Sequence, residues 1–241
     1  MLNLVCISKG GRGLEKTLAS FQIQKNKDAN IVFVLRDIND TFQKHIENVA
    51  KHFTSYKIVI DQCTSISDAC DHGIKNCIPG HVLFIDGGDS LTDRNSLSRA
   101  IKIVDESHSN YALSAVVRYK DRKYLRHPKL GFKLSIAHVG FIGVVDKQIK
   151  FSQFSQYSAD HYWIKELINK YDTVIYADEY VAEFAFGGIS TYPTLHNLIN
   201  VLFNEPLIVK VRYLARYCVK IIFGQRYALL SFYFHGYKRI N

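Results

Sequence analysis

The sequence lacks the marks of several protein classes. It has no uncharged apolar run of about 18 residues, so no segment is predicted to span a membrane. The apolar stretch at residues 2–7 soon meets Lys9 and Arg12 and has neither a basic leader nor a cleavage site, so we expect no signal peptide. No internal repeat or low-complexity linker is visible. An apolar fraction of 47% instead predicts a well-packed core.

Cysteine is present, but not in the pattern of a disulfide framework. The five cysteines are an odd number and include no Cys-x-x-Cys pair. Cys63, Cys70 and Cys77 recur at a regular spacing, which would place Cys70 and Cys77 near one face of a helix. Zinc binding is one interpretation, and buried reduced thiols of a cytoplasmic protein are the favoured one.

Acidic residues are too few to balance the basic ones. The chain has 22 Asp and Glu against 31 Lys and Arg, a formal charge of +9. A surface of this sign favours anions such as nucleotide phosphates, nucleic acid or acidic lipid. No RNA-binding module signature is present, so we expect no nucleic-acid partner. The basic turn at residues 8–12 is not a P-loop, because no Gly-Lys-Ser/Thr follows at the required spacing.

Apolar strands alternate with helices along the first half of the chain. Strands are predicted at residues 2–7, 31–35, 56–60 and 82–85, and helices at residues 14–24, 42–53 and 65–77. This alternation predicts an α/β fold with a largely parallel sheet between helices, in which ligands bind at the carboxyl ends of the strands. The second half is more mixed, with helices at residues 97–104 and 158–171 and strands at residues 111–119, 137–145, 173–177 and 181–186.

The most informative motif closes the fourth strand. Residues 82–89 read Val-Leu-Phe-Ile-Asp-Gly-Gly-Asp, so Asp86 and Asp89 follow an apolar run and are separated by Gly87 and Gly88. Carboxylates suit hard cations such as Mg²⁺ or Mn²⁺, and glycines let the backbone and a ligand approach closely. The alternative interpretation is an ordinary Asp-Gly turn.

Other short motifs occur in a definite order around this strand. They are Ser-Ile-Ser-Asp-Ala-Cys-Asp-His-Gly-Ile at residues 65–74, Ala-His at 137–138, Ser-Ala-Asp-His-Tyr-Trp at 158–163 and Phe-Gly-Gly-Ile-Ser at 186–190. In this order the set resembles the family-two inverting glycosyltransferases, which have the GT-A fold. The resemblance covers residues 1–192 and implies a GT-A domain there, followed by a separate basic, helical tail at residues 193–241.

The resemblance also implies chemistry. It predicts a metal-dependent hexosyltransferase that uses a nucleotide-sugar, with UDP as the default nucleotide, in the synthesis of a surface polysaccharide such as O-antigen or capsule. Asp89 would hold Mn²⁺ or Mg²⁺, and Asp160 would be the general base. The other residues implied in binding the donor are Asp37, Asp68, Asp86, Gly87, Gly88 and His138. The alternative interpretation of Asp160 is a carboxylate that caps a helix start, and from the residues alone His138 either faces the acceptor or is a core histidine.

Two departures from the family pattern keep other functions open. Relatives usually carry Asp where this chain has Leu35, so either Asp37 takes over the reading of the nucleobase or the base is read differently. The first turn also lacks the usual Tyr-Asn. The alternatives are a degenerate, non-catalytic binding module and a nucleotidyltransferase-like enzyme, in which Asp160 would have no role.

The tail differs in composition from the rest of the chain. Residues 195–241 contain a single acidic residue, Glu205, and seven basic ones interleaved with aromatic residues, namely Lys210, Arg212, Arg216, Lys220, Arg226, Lys238 and Arg239. This pattern is typical of a helix in a membrane interface, and the alternative is a helical pair packed on the domain. We therefore expect a lipid-linked saccharide acceptor and peripheral attachment to the anionic inner face of the plasma membrane.

Overall fold

The central element is one mixed sheet flanked by helices. The computed structural model describes residues 1–36, 38–60, 62–63, 65–105, 109–119, 122–127, 136–154, 159–172, 174–185, 193–205, 207–234 and 237–240. Within these residues ten strands join in a single sheet. The expected α/β class is confirmed.

The first half of the chain builds the parallel part of the sheet. Its strands are β1 (Leu2–Ser8), β2 (Asn30–Leu35), β3 (Ser55–Ile60) and β4 (His81–Phe84), and its helices are α1 (Arg12–Gln22), α2 (Asp40–Ala50) and α3 (Ile66–Asn76). The strands lie in the order β4-β1-β2-β3 and all run in one direction. Every residue of β2 is buried, as expected of a strand covered on both faces. Their carboxyl ends therefore meet at one edge of the sheet, which we call the carboxyl edge.

The second half of the chain extends the sheet with antiparallel pairs. It contains β5 (Ser90–Leu91), α4 (Ser96–Asp105), β6 (Asn110–Tyr119), β7 (Arg122–Arg126), β8 (Phe141–Val144), α5 (Ala159–Tyr171) and β9 (Val174–Ala185). Strand β8 lies antiparallel between β4 and β6, and β9 is parallel to β6. Because two antiparallel steps restore direction, β6 and β9 also end at the carboxyl edge.

Two elements differ from the prediction. The strand predicted at residues 137–145 begins only at Phe141, because His138–Gly140 forms a 3₁₀ turn. The two strands predicted at residues 173–177 and 181–186 are the single strand β9. Its pairing with β6 shifts register on both sides of Ser114, so one strand continues across the polar residues that separated the two apolar runs.

The tail is helical and also reaches the sheet. It forms α6 (Leu195–Asn204), α7 (Leu207–Phe223), α8 (Tyr227–Phe234) and a last strand, β10 (Lys238–Ile240). Strand β10 pairs antiparallel with β7, and Phe232 of α8 stacks on Tyr124 with ring centroids 4.4 Å apart. Helices α6 and α7 pack on each other through Leu198, Val201 and Tyr213. Among the described residues, no helix has the length and apolar character needed to cross a membrane.

Candidate active site

The turn that follows β4 lies at the carboxyl edge. The backbone amides of Ile85 and Gly87 donate to β1 carbonyls, so the turn stays tied to the neighbouring strand. A Cβ at Gly87 would lie 2.3 Å from the Ser8 hydroxyl oxygen, and Gly88 has a φ of +114°. Both positions therefore require glycine, the first because β1 approaches closely and the second because of its backbone conformation.

A threonine that the sequence analysis missed holds this turn in place. Thr17, fully buried on α1, accepts a hydrogen bond from the Gly88 amide (3.0 Å) and donates one to the Asp89 carbonyl (2.6 Å). Ser20 on the same helix accepts the Leu91 amide, and Gln24, two residues beyond the end of the helix, accepts the Leu97 amide. The only sequence signal was that Thr17 and Ser20 share the face of a helix with its buried apolar residues.

Asp86 and Asp89 are partly buried carboxyl groups that interact with each other. Burial raises the pKa of Asp89 to about 8, and the charge of Asp86 adds to the rise, against Lys16 and backbone amides that lower it. Burial also raises the pKa of Asp86, with His138 lowering it and Asp160 raising it. The structure therefore brings Asp89, His138 and Asp160 within electrostatic range of Asp86, although His138 and Asp160 come from distant parts of the chain.

Polar atoms without partners accumulate beside Asp86. Among the described residues, Asp86 Oδ1, His138 Nε2 and Trp163 Nε1 are buried and have no hydrogen-bond partner. The imidazole of His138 lies 4.7 Å from the ring of Phe84, centroid to centroid. The role of His138 in binding the donor stays a prediction. Orphaned buried polar atoms carry a desolvation cost that a polar ligand would relieve.

Asp160 lies in the first turn of α5. Its Oδ1 accepts a hydrogen bond from the His161 backbone amide at 2.8 Å, while its charge reaches Asp86. The carboxylate is thus both an acceptor at a helix start and a neighbour of the carboxyl pair. Its role as the general base stays a prediction.

The remaining predicted site residues divide into local roles and unassigned positions. Asp68 forms a capping box with Ser65 at the start of α3, and Asp71 accepts the Phe151 amide at 2.6 Å. The donor-binding role of Asp68 stays a prediction. Asp37 and the Gly-Gly-Ile-Ser motif at residues 187–190 lie outside the described residues.

The carboxyl pair fits a divalent cation that is shared with a ligand. Among the described residues, no group of three or more His, Cys, Asp and Glu side chains could hold a metal ion by itself. Asp86 and Asp89, however, repel each other when ionised, and a cation would relieve that repulsion. Magnesium-like ions are commonly bound by one or two carboxylates together with phosphate oxygens and water. The donor set therefore suits Mg²⁺ or Mn²⁺ in the presence of a phosphate ligand.

Solved structures with similar folds were found at low sequence identity. S. aureus TarS 1–349 in complex with UDP matches with a TM-score of 0.60, over 93% of this chain and 72% of that chain, at 14% identity. The mannosyltransferase PcManGT from Pyrobaculum calidifontis, in complex with GDP-Man and Mn²⁺, matches with a TM-score of 0.57 over 98% and 84%, at 11% identity. The chain has the GT-A fold. No family model and no curated protein matches the sequence.

These similarities confirm the GT-A fold predicted from the motif order. Within this fold, a cleft lies beside the turn that follows β4. A space of about 280 Å³ opens where the chain leaves β1 and enters α2. Its lining residues are Gly10, Gly11, Arg12, Glu15, Ile38, Asn39 and Phe42. Since β1 and β2 end here, the cleft occupies the carboxyl edge on one side of Asp89.

On the other side of Asp89 the GT-A sheet carries a charged cluster. Glu183 of β9 is buried, and its carboxylate pairs with Lys16 (3.2 Å), Arg118 (3.3 Å) and Lys123 (2.9 Å). Burial alone would raise the pKa of Glu183, but hydrogen bonds from Lys123 and Lys16 outweigh it and lower the pKa below its usual value. Glu183 is therefore a weak base. We call Lys16, Arg118 and Lys123 the cation cluster.

Proposed function

We propose that this protein is an inverting glycosyltransferase that transfers a hexose from a nucleotide-sugar to a hydroxyl group of a saccharide. The observation that carries the proposal is the convergence of Asp86, Asp89 and Asp160 at the carboxyl edge of a GT-A sheet. The structures of TarS and PcManGT hold UDP and GDP-Man, which supports a nucleotide-linked donor. A UDP-sugar is the default donor.

In the proposed reaction each carboxyl group has a separate task. Asp89, with Asp86 beside it, would hold a divalent cation, which when bound neutralises the diphosphate that leaves with the nucleotide. Asp160 would take the proton of the acceptor hydroxyl as that oxygen attacks the anomeric carbon. One base and a single displacement invert the anomeric configuration. The cleft beside Arg12 and Phe42 lies on the side proposed for the nucleotide.

The same arrangement weighs against the two alternatives. A non-catalytic module would carry the cost of burying Asp86 Oδ1 and His138 Nε2, which have no hydrogen-bond partner among the described residues, and would gain nothing from Asp160 beside them. A nucleotidyltransferase-like enzyme would also hold a metal at Asp89, but it would leave Asp160 without a task.

The proposal is tested by thermal unfolding with a panel of nucleotide-sugars, each with and without Mn²⁺. We expect at least one to raise Tm only when the metal is present, because a ligand at 100 times its Kd stabilises the folded state by about 2.7 kcal/mol. The same compound should be slowly hydrolysed to free sugar and nucleoside diphosphate. Release of inorganic pyrophosphate from a nucleoside triphosphate would indicate the nucleotidyltransferase instead. If no nucleotide shifts Tm with or without metal, the proposal fails.

We further propose that α6 and α7 hold the enzyme against an anionic membrane, where a lipid-linked acceptor of O-antigen or capsule synthesis would lie. Helix α7 turns Tyr213 inward, and its Lys220 and Arg216 donate hydrogen bonds to Pro193 and Tyr227. Its outer side is instead apolar. The exposed apolar residues of both helices, which we call the apolar stripe, are Leu195, Ile199, Leu202, Phe203, Leu207, Val211, Leu214, Ile221, Ile222 and Phe223.

The charge around the apolar stripe favours a lipid surface over a second protein copy. Arg212 and Arg226 are exposed beside it, and the described tail has only one acidic residue, Glu205, which is buried. An apolar strip bordered by cations matches acyl chains bordered by anionic headgroups. Two copies placed stripe to stripe would instead bring like charges together.

Membrane binding is predicted to be lost in the double variant Ile221→Ser/Ile222→Ser. These side chains are 65% and 72% exposed, so the variant should keep its Tm while flotation with vesicles containing phosphatidylglycerol falls strongly. Arg212→Gln should weaken binding by about 5-fold, since one basic residue near an anionic surface contributes about 1 kcal/mol. The matched control is Ile23→Ser/Ile60→Ser, which removes two isoleucines elsewhere that are each 58% exposed.

Truncation after residue 195 is a poorer test, because it also removes β10 from the sheet. If the parent protein ignores anionic vesicles at low salt, the membrane proposal is wrong. If it instead forms a dimer that Ile221→Ser/Ile222→Ser dissociates, a second copy covers the apolar stripe.

A further inference from the structure

The cation cluster carries more positive charge than its buried carboxylate can balance. Lys16 comes from α1, Arg118 from β6 and Lys123 from β7, and all three converge on Glu183. Ser90 adds a neutral hydrogen bond to the same carboxylate at 3.2 Å. Among the described residues all three cations pair with this one carboxylate, and Asp89 adds its charge near Lys16 when it is ionised, so the cluster holds more cations than carboxylates.

The exposure of the three cations shows that this excess is available to solvent. The Glu183 side chain is 6% exposed, whereas Lys16, Arg118 and Lys123 are 30%, 34% and 45% exposed. A carboxylate needs one or two cations to offset its burial, and each additional cation repels the others. The arrangement is therefore incomplete as a purely structural ion pair, and an external anion would complete it.

The position of the cation cluster relates it to the proposed reaction centre. Glu183 pairs in register with Ser90, the residue directly after Asp89, and with Val116 of β6. Arg118 and Lys123 lie opposite each other where β6 ends, which is the carboxyl edge. The strand order places β6 and β1 on opposite sides of β4, so Arg118 and Lys123 lie across Asp89 from the cleft at the end of β1. Lys16 lies between them, beside the Asp89 turn, where it donates a hydrogen bond to the Gly88 carbonyl at 3.5 Å.

We propose that Lys16, Arg118 and Lys123 bind an anionic group, a phosphate or a carboxylate, on the acceptor saccharide. The donor diphosphate belongs beside Asp89, and the nucleotide on the β1 side, so an anion at the β6 side belongs to the other substrate. The Arg118 guanidinium suits a planar or tetrahedral oxyanion because it can donate two parallel hydrogen bonds. The inference rests on the proposed function only in naming the acceptor as the source of the anion.

The test measures binding of a small anionic probe while the donor site is filled. The protein is saturated with UDP and Mn²⁺ and then titrated by calorimetry with glucose 6-phosphate and, as the neutral match, with glucose. We expect glucose 6-phosphate to bind and glucose to show no measurable binding. Arg118→Gln and Lys123→Gln should each weaken glucose 6-phosphate binding about tenfold or more, because each removes a charge-assisted hydrogen bond.

Two further variants distinguish a specific anion site from nonspecific attraction by basic residues and from a purely structural ion-pair cluster. Arg122→Gln removes an exposed cation adjacent to Lys123 along β7 and should leave the affinity unchanged. Glu183→Gln keeps the shape and the Ser90 contact but removes the competing negative charge, so it should tighten glucose 6-phosphate binding by several-fold. A structural ion-pair cluster without ligand function predicts the opposite for Glu183→Gln, namely lower Tm and no gain in affinity.

Each contrary result overturns the inference. Glucose 6-phosphate that fails to bind, or that binds only when UDP is absent, would mean that the cluster holds no acceptor anion. If Arg122→Gln weakens glucose 6-phosphate binding as much as Arg118→Gln does, the binding depends only on the overall positive charge of the protein. UDP binding is measured first and separately, so loss of nucleotide binding would count against the proposed function and not against the anion site.

Discussion

Asp89→Asn is expected to abolish metal-dependent transfer while leaving the metal-free protein at least as stable as the parent at neutral pH. Burial and Asp86 raise the pKa of Asp89 from 3.8 to about 8, so the folded metal-free protein holds this group largely protonated at pH 7. Asparagine resembles that protonated form in shape and charge. It cannot, however, supply the negative charge that a divalent cation requires.

The sign of the pH effect follows from the direction of the shift. The unfolded chain loses the Asp89 proton near pH 4, whereas the folded protein keeps it up to about pH 8. Because the folded state binds more protons between these values, the contribution of Asp89 to stability is greatest at low pH and decreases as pH rises through this range. Asp89→Asn should remove this decrease, which urea unfolding at several pH values will measure.

Metal binding should show the complementary pH dependence. A cation must displace the Asp89 proton, so its affinity in the presence of UDP should rise about tenfold per pH unit below pH 8. Calorimetric titration with Mn²⁺ measures this, and Asp89→Asn should bind weakly at every pH. Asp146→Asn is the matched control, since it removes a carboxyl group bonded to Lys170 and Tyr171 and should lower Tm without changing metal affinity. Full activity in EDTA would contradict the metal assignment.

Two strands of the parallel half, β2 and β4, were predictable because they are largely continuous apolar runs. Residues 31–35 and 82–84 are buried throughout, and uniform burial leaves a clear signal in sequence. Strand β9 was predicted only as two shorter strands, at residues 173–177 and 181–186, and its first seven residues are intermediate or exposed. Asp178 and Glu179 interrupt its apolar pattern, yet hydrogen bonding to β6 carries the strand across them. The secondary structure of such segments is determined by pairing with a strand that is distant in sequence, and not by the local pattern of apolar residues.

In the candidate site, too, only contacts between residues that are close in sequence were predictable. Asp86 and Asp89 are neighbours in one motif, so their proximity was visible in the sequence. Thr17 lies 72 residues from the turn that it holds, and Lys16 lies 167 residues from Glu183. No periodicity indicates such contacts. The tail shows a related limit. Its composition predicted helices with basic and apolar residues, but it did not indicate which residues face outward. In the structure Arg216 and Lys220 donate hydrogen bonds to neighbouring groups, and the apolar stripe is exposed.

Asp160→Asn is expected to lower turnover by about 10²- to 10⁴-fold, the usual contribution of a general base. Asparagine keeps the oxygen that accepts the His161 amide, so α5 should still begin at the same place and Tm should change little. It cannot take a proton near neutral pH. Donor affinity should stay close to that of the parent, because the base acts on the acceptor hydroxyl and not on the diphosphate.

This pattern separates Asp160 from Asp89 and from simple changes of charge. Asp89→Asn should weaken donor binding as well as turnover, whereas Asp160→Asn should affect turnover alone, as expected for an interaction made only in the transition state. Glu166→Gln removes the same charge from an exposed position on α5 and should leave both quantities unchanged.

If Asp160→Asn keeps turnover within a few-fold of the parent, Asp160 serves only as the acceptor at the start of α5. The base must then be another group beside Asp86. Glu183 is a poor candidate, because three cations surround it and hydrogen bonds from two of them lower its pKa. His138 is the better one, since its Nε2 is buried without a hydrogen-bond partner among the described residues. Under that outcome His138→Gln should produce the fall in turnover at unchanged donor affinity that is expected here of Asp160→Asn.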